Sequence, residues 1–598
     1  MQSMDELSET KRLLLEKMLR GSIPQTPRPI PSASRSEEGN FTPLSFGQQQ
    51  LWLLAQLTPD TPVYVECAAV HLPGSLSVPA LEQSLHEVLR RHEAWRTSFP
   101  VIDGQPVQVV HPFTPFTLPT VDLRHLPSEQ REAEAARLAQ QTILPPFDLA
   151  NGPLLRFLLV RLDDQEHRLF LTLHHIIFDG HSLHQIFLPE LHAIYEAYVQ
   201  GQPSPLPALS LHYPDFARWQ RQWAESHALT ENLAYWRQQL AQAPALLALP
   251  TDHPRPTIPT WRGSTYRFTL SQTLADGLKA LSQQEGVTLY MLMVALFQLL
   301  LARYTGQADI LLGTAISNRS RSDLQALLGF FLNTLVLRTD LSGNPTFHEL
   351  LQRVRDVVLG AYDHQDMPFE LLVKELQPER GAAYNPFFQV LLSLVPPTPA
   401  LSSGWTLTQM DVETGTAKFD LSLELEDQPD GLVGRFEFNA DLFETETIAR
   451  MADHWQTVLA SALANPDQHI DELPLLTEAE RQQIVVAWND TATDYEKTCL
   501  HRLFEASVAR TPDAPAIACG GKQLTYRELD TRADQLARYL QKLGVGPDVL
   551  VGVCVERSLD MVVALLGILK SGAAYVPLDP AYPCLLYTSD AADDLTRV

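Results

Sequence analysis

At 598 residues, 45% of them hydrophobic and 19% charged, the chain can bury more than one core, and its length sets a prior of roughly three or four folding units. Its 71 acidic residues against 45 basic ones, a formal charge of -26, repel phosphate backbones and anionic headgroups, which excludes nucleic acid and a membrane surface as partners. The five cysteines, Cys67, Cys499, Cys519, Cys554 and Cys584, have neither metal-ligand spacing nor the density of a secreted framework; no metal is expected, and a reducing cytoplasm fits best.

In chain order, residues 5 to 20 bring Leu7, Leu14, Leu15, Met18 and Leu19 close to one helix face, which Gly21 can end before the stretch IPQTPRPIPSAS. Residues 1–22 thus read as a helix that either docks an upstream protein or folds back on its own domain, and 23–41 as a Pro/Ser-rich linker. Mixed charges through this N-terminus leave no signal-peptide core. The run RLFLTLHHIIF from Arg168 has strand length and β-branched or apolar content. Pro-rich breaks at QPSPLPALS and ALPTDHPRPTIPT divide residues 42–475 into lobes of about 42–210 and about 225–475. In the second, LYMLMVALFQLLLARY from Leu289 reads as a buried helix capped by Thr288; it falls short of the roughly 20 residues that cross a bilayer. GLVGRFEFNADLF from Gly431 alternates partially, as a strand does. The class is mixed α and β. After a linker at 476–500, helical and strand patterns alternate over 501–583, as in TYRELDTRADQLARYLQKLGV and VLVGVCVERS, and 584–598 forms an aberrant tail.

Candidate chemistry concentrates in HHIIFDG. A strand through Leu169, Leu171 and Leu173 puts His175 on their face, whereas His174 shares the other face with Phe170, Thr172 and Ile176. Asp179-Gly180 turns the chain, and Ser182 with Gln185 makes a capping-box pattern for a helix that Pro189 limits or bends. An imidazole at a strand end can take a proton from an attacking amine or hydroxyl, or hydrogen-bond a tetrahedral intermediate, if it lies within about 3 Å of the nucleophile. Asp179 can serve as a second carboxylate, but beside a turn it is better placed to pair with a buried arginine. Taken alone, the pattern also describes ordinary core histidines and a turn. Leu51 and Trp52 read as core, Arg91, His92, Glu93 and Arg96 as an ion-paired helix end, and Tyr213, Phe216, Trp219 and Trp223 as packing at helical spacing.

The order of motifs adds weight. LSFGQQQLWLLAQL from Leu44, RHEAWRTSF from Arg91, HHIIFDGHS from His174, YPDFARWQ from Tyr213, LPTDHPRP from Leu249, LLGTAISNRSRSDLQALLGFFLNT from Leu311, HQDMPFE from His364 and YNPFFQVLL from Tyr384 together resemble the condensation domain of nonribosomal peptide synthetases, over about residues 42 to 475. The resemblance implies two chloramphenicol-acetyltransferase-like lobes forming a V-shaped pseudo-dimer around a tunnel. An upstream donor carrier and a downstream acceptor carrier present acyl or peptidyl and aminoacyl thioesters on phosphopantetheine arms, and an amide forms in nonribosomal or hybrid polyketide-peptide synthesis. His175 is then the catalytic residue, as base or as positioner of the amine. Asp179 and Arg319 form a bidentate pair tying the lobes, with His174 and Gly180 in support, Gly180 being small so that the pantetheine arm can approach. HQDMPFE reads as loop architecture. No bound cofactor is implied. Two residues depart from the family pattern: Gln50 stands where arginine is usual, and His181 where tryptophan is commoner.

LTYRELD at Leu524 and LKSGAAYVPLDPAYP at Leu569 resemble the opening of an adenylation domain, an incomplete α/β subdomain here. The family's phosphate loop, ribose-binding aspartate and catalytic lysine do not follow, so adenylation activity is not expected from these residues, and other synthetase modules are expected partners. Alternatives are a free-standing carrier- or CoA-dependent acyltransferase of the same fold, a heterocyclising or epimerising relative, and a non-catalytic docking platform in a synthetase.

Overall fold

A run of alternating apolar residues makes a strand with one covered face, whereas a continuous apolar run makes one covered on both; the two main sheets of this protein are one of each. The computed structural model describes residues 30, 41–59, 61–226, 228–378, 384–395, 401–409, 413–428, 431–495 and 497–581. The helix expected within residues 5 to 20 and the tail 584–598 lie outside them. Two compact units divide between Gln483 and Ile484.

The first unit contains both lobes. In the first lobe a five-stranded sheet runs Thr406–Thr408, Val65–Pro73, Glu166–His174, Leu155–Asp163, Thr120–Asp122. Its central strand Glu166–His174 is buried at every residue after the first, because helices cover both faces. Leu169, Leu171 and Leu173 join the core built with helices Val78–Arg91 and Leu188–Val199, and Phe170 joins a second core under helix Ser128–Ile143. In the second lobe the sheet runs Asn333–Asp340, Asp309–Ile316, Val390–Val395, Leu421–Gln428, Gly431–Asn439, Gly263–Leu270. Helices Gln272–Gln284, Leu289–Thr305, Phe347–Asp363 and Thr445–Ala464 share its apolar core. Strands Leu421–Gln428 and Gly431–Asn439 alternate strictly over most of their length: Leu421, Leu423, Leu425, Leu432, Phe436 and Phe438 are buried, while Ser422, Glu424, Arg435 and Glu437 face away from that core.

Helix Leu289–Thr305 is opened by Thr288, whose Oγ1 accepts from Met291 N at 3.2 Å, and closed by Gly306 at φ 70°. Its residues from Met291 to Leu301 are buried in the second-lobe core. Among the described residues no single helix is long and apolar enough to cross a membrane.

Two segments of the second half of the chain belong to the first lobe. Strand Thr406–Thr408 pairs antiparallel with Val65–Pro73, with Leu407 opposite Val70. After strand Asp309–Ile316 the chain also crosses over, placing Leu324, Leu327, Leu328, Phe330 and Phe331 in the first-lobe core. The second unit pairs Pro515–Cys519 with Lys522–Thr525 and Leu550–Val553 with Ala574–Pro577, beside helices Tyr526–Lys542 and Leu559–Ser571, where Lys570 Nζ donates to Asp530 and Asp534 at 2.5 and 2.6 Å.

Candidate active site

A sheet covered on both faces can present a side chain to a cavity only where a strand ends. Strand Glu166–His174 ends this way: His174 pairs with Val65, the His175 amide donates to Tyr64 O at 2.8 Å, and a 3-10 turn runs His175–Ile177. Glu66, the ladder partner of Leu173, lies 3.3 Å from the His175 ring, so His175 keeps the face of Leu169, Leu171 and Leu173 that the alternation predicts. It enters a cavity of about 680 Å³ lined by both lobes, including Tyr64, Glu66, Asp179, Gly180 and His181 from one and Phe330, Glu370, Lys418, Arg435 and Glu437 from the other part of the chain. His174 points elsewhere. Its Nδ1 accepts from Ile176 N at 3.2 Å, and the ring borders a separate cavity with Trp52 and Phe147. Burial pushes its pKa down to about 3, helped by His175 and Lys418.

The His175 ring is held by three contacts. It stacks on Phe178 with centroids 4.7 Å apart and meets the edge of Phe330 at 5.3 Å. Nδ1 lies 3.1 Å from Phe178 O; a carbonyl oxygen only accepts, so Nδ1 carries the proton and Nε2 keeps its lone pair toward the cavity. Burial holds the imidazole below the usual histidine pKa, with Glu66 pulling it upward and Lys418 pushing it down. Nε2 lies 3.3 Å from Glu66 Oε1. Burial, the largest single influence, would raise the Glu66 pKa, but Lys418, His175 and Arg435 together outweigh it and hold the carboxyl at about 2. Lys418 Nζ donates to Glu66 Oε1, and Gln409 Nε2 donates to Oε2 at 2.8 Å.

Asp179 collects donors from both halves of the chain. Oδ1 accepts from Ser182 N at 2.8 Å and Ser182 Oγ at 2.7 Å, and Oδ2 accepts from Phe331 N at 2.9 Å. Arg319 Nη2 donates to both oxygens at 3.1 and 3.2 Å, while its Nη1 donates to Leu324 O and Leu327 O, each at 2.7 Å. This differs from the two-nitrogen fork of a bidentate pair: one nitrogen meets the carboxylate and the other ties down the crossing segment. The expected capping box at Ser182 is also corrected. Asp179 is the residue whose carboxylate accepts from the amide three positions on, and the Ser182 hydroxyl is spent on Asp179. Residues Ser182–Phe187 take a π-helical path that carries the helix through Pro189 to Val199, so the proline does not end it. A Cβ added at Gly180 would come only to within 3.8 Å of Gln409 Oε1, so the protein itself leaves room there.

Several cavity residues were not singled out from the sequence. Glu66 stands in the apolar run VECAAVHL, where a lone acid on a central strand is the signal to seek. Glu370, in the HQDMPFE stretch expected to be loop architecture, lines the cavity, and burial raises its pKa to about 7. That stretch is held by Asn333, whose Nδ2 donates to Gln365 O and Met367 O at 2.8 and 2.7 Å and whose Oδ1 accepts from Phe369 N at 3.0 Å. Leu51 is buried as expected yet also lines the cavity. His92 and Arg91 both pair with Glu190, and Tyr213 and Phe216 pack on Phe331. Among the described residues no group of three or more histidine, cysteine, aspartate or glutamate side chains can hold a metal ion.

Two α/β lobes, exchanging segments and closing on a cavity with one histidine at a strand end, define a protein of the chloramphenicol-acetyltransferase-like class. The condensation-domain family model matches residues 38–485, and an AMP-binding enzyme model matches residues 504–584. The chain belongs to the condensation-domain family. It is 46% identical to one of the linear gramicidin synthase proteins of Brevibacillus parabrevis over 583 residues, which is 97% of this chain and 11% of that relative; it therefore spans about a ninth of that protein's length. Its fold is similar to the X-domain from teicoplanin biosynthesis, at TM-score 0.65 and 29% identity over 75% of this chain and 100% of that one. It is similar in fold also to a four-domain nonribosomal peptide synthetase bound to AMP and glycine, at TM-score 0.74 and 24% identity over 92% of this chain and 42% of that one.

Proposed function

We propose that this chain joins a donor acyl or peptidyl thioester to the amine of an acceptor aminoacyl thioester, each presented on the phosphopantetheine arm of a carrier domain. The observation that carries this reading is the lone pair of His175 Nε2, free and turned into a cavity bounded by both lobes while Nδ1–H is committed to Phe178 O. The amine nitrogen attacks the thioester carbonyl, the carbon–nitrogen bond forms, the carbon–sulfur bond breaks, and His175 conveys the amine proton to the departing thiolate. His175 is the catalytic residue. Asp179 and Arg319 hold the loop that follows it, His174 supports the strand end, and Gly180 leaves space for the pantetheine arm. Residues 42–475 carry this activity, in lobes of about 42–210 and 225–475, and residues 476–500 link them to the adenylation-like part 501–583. No cofactor is bound in this reading, the carriers belong to other synthetase modules, and the work is done in the cytoplasm. ATP-dependent amino-acid activation is not assigned to these residues.

The test is reconstitution with donor and acceptor carriers loaded with acyl and aminoacyl pantetheine, read by intact mass. Transfer to the acceptor carrier is expected, with His175→Ala slower by about 100-fold or more. Equal transfer by both proteins would remove His175 from the chemistry. Retention of the acyl group on the donor carrier across a panel of acceptors would favour a docking platform.

A further inference from the structure

Glu66 and His175 pose a physical problem that a bound amine would resolve. With Nδ1–H given to Phe178 O, Nε2 of the neutral ring has no proton, and 3.3 Å away stands Glu66 Oε1, an acceptor as well. Neither group can donate to the other. Glu66 does not need His175 for its own satisfaction, because Lys418 serves Oε1 and Gln409 serves Oε2. Both side chains keep some exposure, 13% for His175 and 21% for Glu66, and both line the cavity. A carboxylate has about four lone-pair sites, so capacity remains on the side that faces the ring.

We propose that Glu66 and His175 form a two-acceptor seat for the attacking primary amine, Glu66 holding one N–H while His175 Nε2 takes the other. This rests on the amide-forming reading above. A tetrahedral amine with its two protons directed at these acceptors has its lone pair turned to a third direction, toward the thioester carbon. As the carbon–nitrogen bond forms, Nε2 accepts one amine proton and the ring becomes imidazolium beside the Glu66 carboxylate, which stabilises it. The tetrahedral intermediate then expels the thiolate, and the Nε2 proton passes to sulfur. Thioester and amine yield amide and thiol, with the second amine proton remaining on the amide nitrogen.

A further consequence concerns the acceptor. A primary aminoacyl group offers two N–H bonds and fills both halves of the seat, whereas a prolyl group offers one, which His175 must take. Glu66 thus has a role with primary acceptors that it lacks with secondary ones. Other charges meet the site from elsewhere in the fold: Lys418 contacts Glu66 directly, and Glu424, Arg435 and Glu437 on the second-lobe strands and Glu370 line the same cavity.

The experiment measures carrier-to-carrier transfer by the full chain and by Glu66→Gln and Glu66→Ala, with alanyl and prolyl acceptors, across pH. For the alanyl acceptor kcat/KM is expected to fall about tenfold in Glu66→Gln and about a hundredfold in Glu66→Ala, the range for losing a hydrogen bond to a charged group. For the prolyl acceptor the fall is expected to stay under about threefold. Loss of the carboxylate that pulls the His175 pKa upward also moves the acid limb of the rate profile to lower pH in Glu66→Gln. An unchanged rate for the alanyl acceptor, equal losses for both acceptors, or an unmoved acid limb overturns the seat while leaving amide formation standing. A wild-type protein that transfers to neither acceptor overturns amide formation and the seat together.

Discussion

The sheets of the two lobes treat the cavity differently. The first-lobe sheet is covered on both faces, and its central strand is buried along its whole length after Glu166. It therefore delivers chemistry from a strand end, through the turn that carries His175. The second-lobe sheet has helices packed into its core on one face, and its other face presents a row of side chains to the cavity: Ser393, Ser422, Glu424, Arg435 and Glu437. Strand register aligns that row, with Ser393 beside Glu424, Glu424 opposite Arg435 and Ser422 opposite Glu437. One lobe thus holds His175 with Glu66 beside it, while the other surrounds them with further charge. A buried charge row is tolerated because its members pair with one another; Arg435 donates to Glu424 and to Gln409 O.

This division requires the lobes to keep a fixed relation, and the Asp179–Arg319 contact is where breaking it should cost most. Both side chains are 2% exposed. Arg319→Ala strands the Asp179 carboxylate and frees the carbonyls of Leu324 and Leu327, so unfolding in denaturant should show a loss of about 3–5 kcal/mol, together with loss of transfer. A loss below about 1 kcal/mol would mean that the lobes are held by their exchanged segments alone. Gly329 tests the same crossing segment by steric means. Its φ is 154°, and an added Cβ would lie 2.0 Å from the Tyr213 ring, whose hydroxyl donates to Phe330 O at 2.5 Å. Gly329→Ala should cost about 1–3 kcal/mol by overpacking, measurable by the same unfolding curve; tolerance of the methyl group would show that the crossing segment can shift without disturbing the first-lobe core.

The contrast between the sheets was largely legible in the residues. RLFLTLHHIIF is a mainly apolar strand-length run and GLVGRFEFNADLF a partially alternating one, which is the difference between a sheet buried on both faces and one that is not. The buried helix after Thr288 was legible for the same reason, since periodicity and its cap are local. The site was legible only in part. His175 and the face it shares with Leu169, Leu171 and Leu173 are legible from the alternation, whereas the 3-10 turn His175–Ile177 that ends the strand is not. The capping box expected at Ser182 does not form because its hydroxyl turns back to Asp179, which is itself fixed by Arg319, 140 positions away. Glu66, Lys418 and Glu437 become one cluster only when three distant strands and loops converge, and no local spacing encodes that.

The charge row makes a pH prediction of smaller size. Glu66 has a pKa of about 2 in the folded chain, below its ordinary value of 4.5. Its carboxylate therefore contributes stability that is fully present above about pH 4.5 and is lost as pH falls toward 2. Denaturant midpoints of the wild type and Glu66→Gln, compared at pH 6 and pH 3, should differ more at the higher pH. A gap that stays constant would show that Glu66 gains nothing from Lys418 and that the second-lobe charges do not reach the first-lobe strand.

The smallest effect should come from a residue remote from this division. Thr288 caps helix Leu289–Thr305 through its contact with Met291 N, and it does not line the cavity. Thr288→Ala removes one satisfied amide at a helix start, which costs about 1 kcal/mol. The helix itself is retained by its buried residues from Met291 to Leu301, because tertiary packing of an apolar helix outweighs its terminal hydrogen bonds. The unfolding midpoint should therefore drop slightly while kcat and KM for carrier transfer stay at wild-type values. A change in kcat without a matching loss of stability would show that the second-lobe core steers the charge row on the opposite face of its sheet, and the two lobes would then share the chemistry more evenly than their sheets imply.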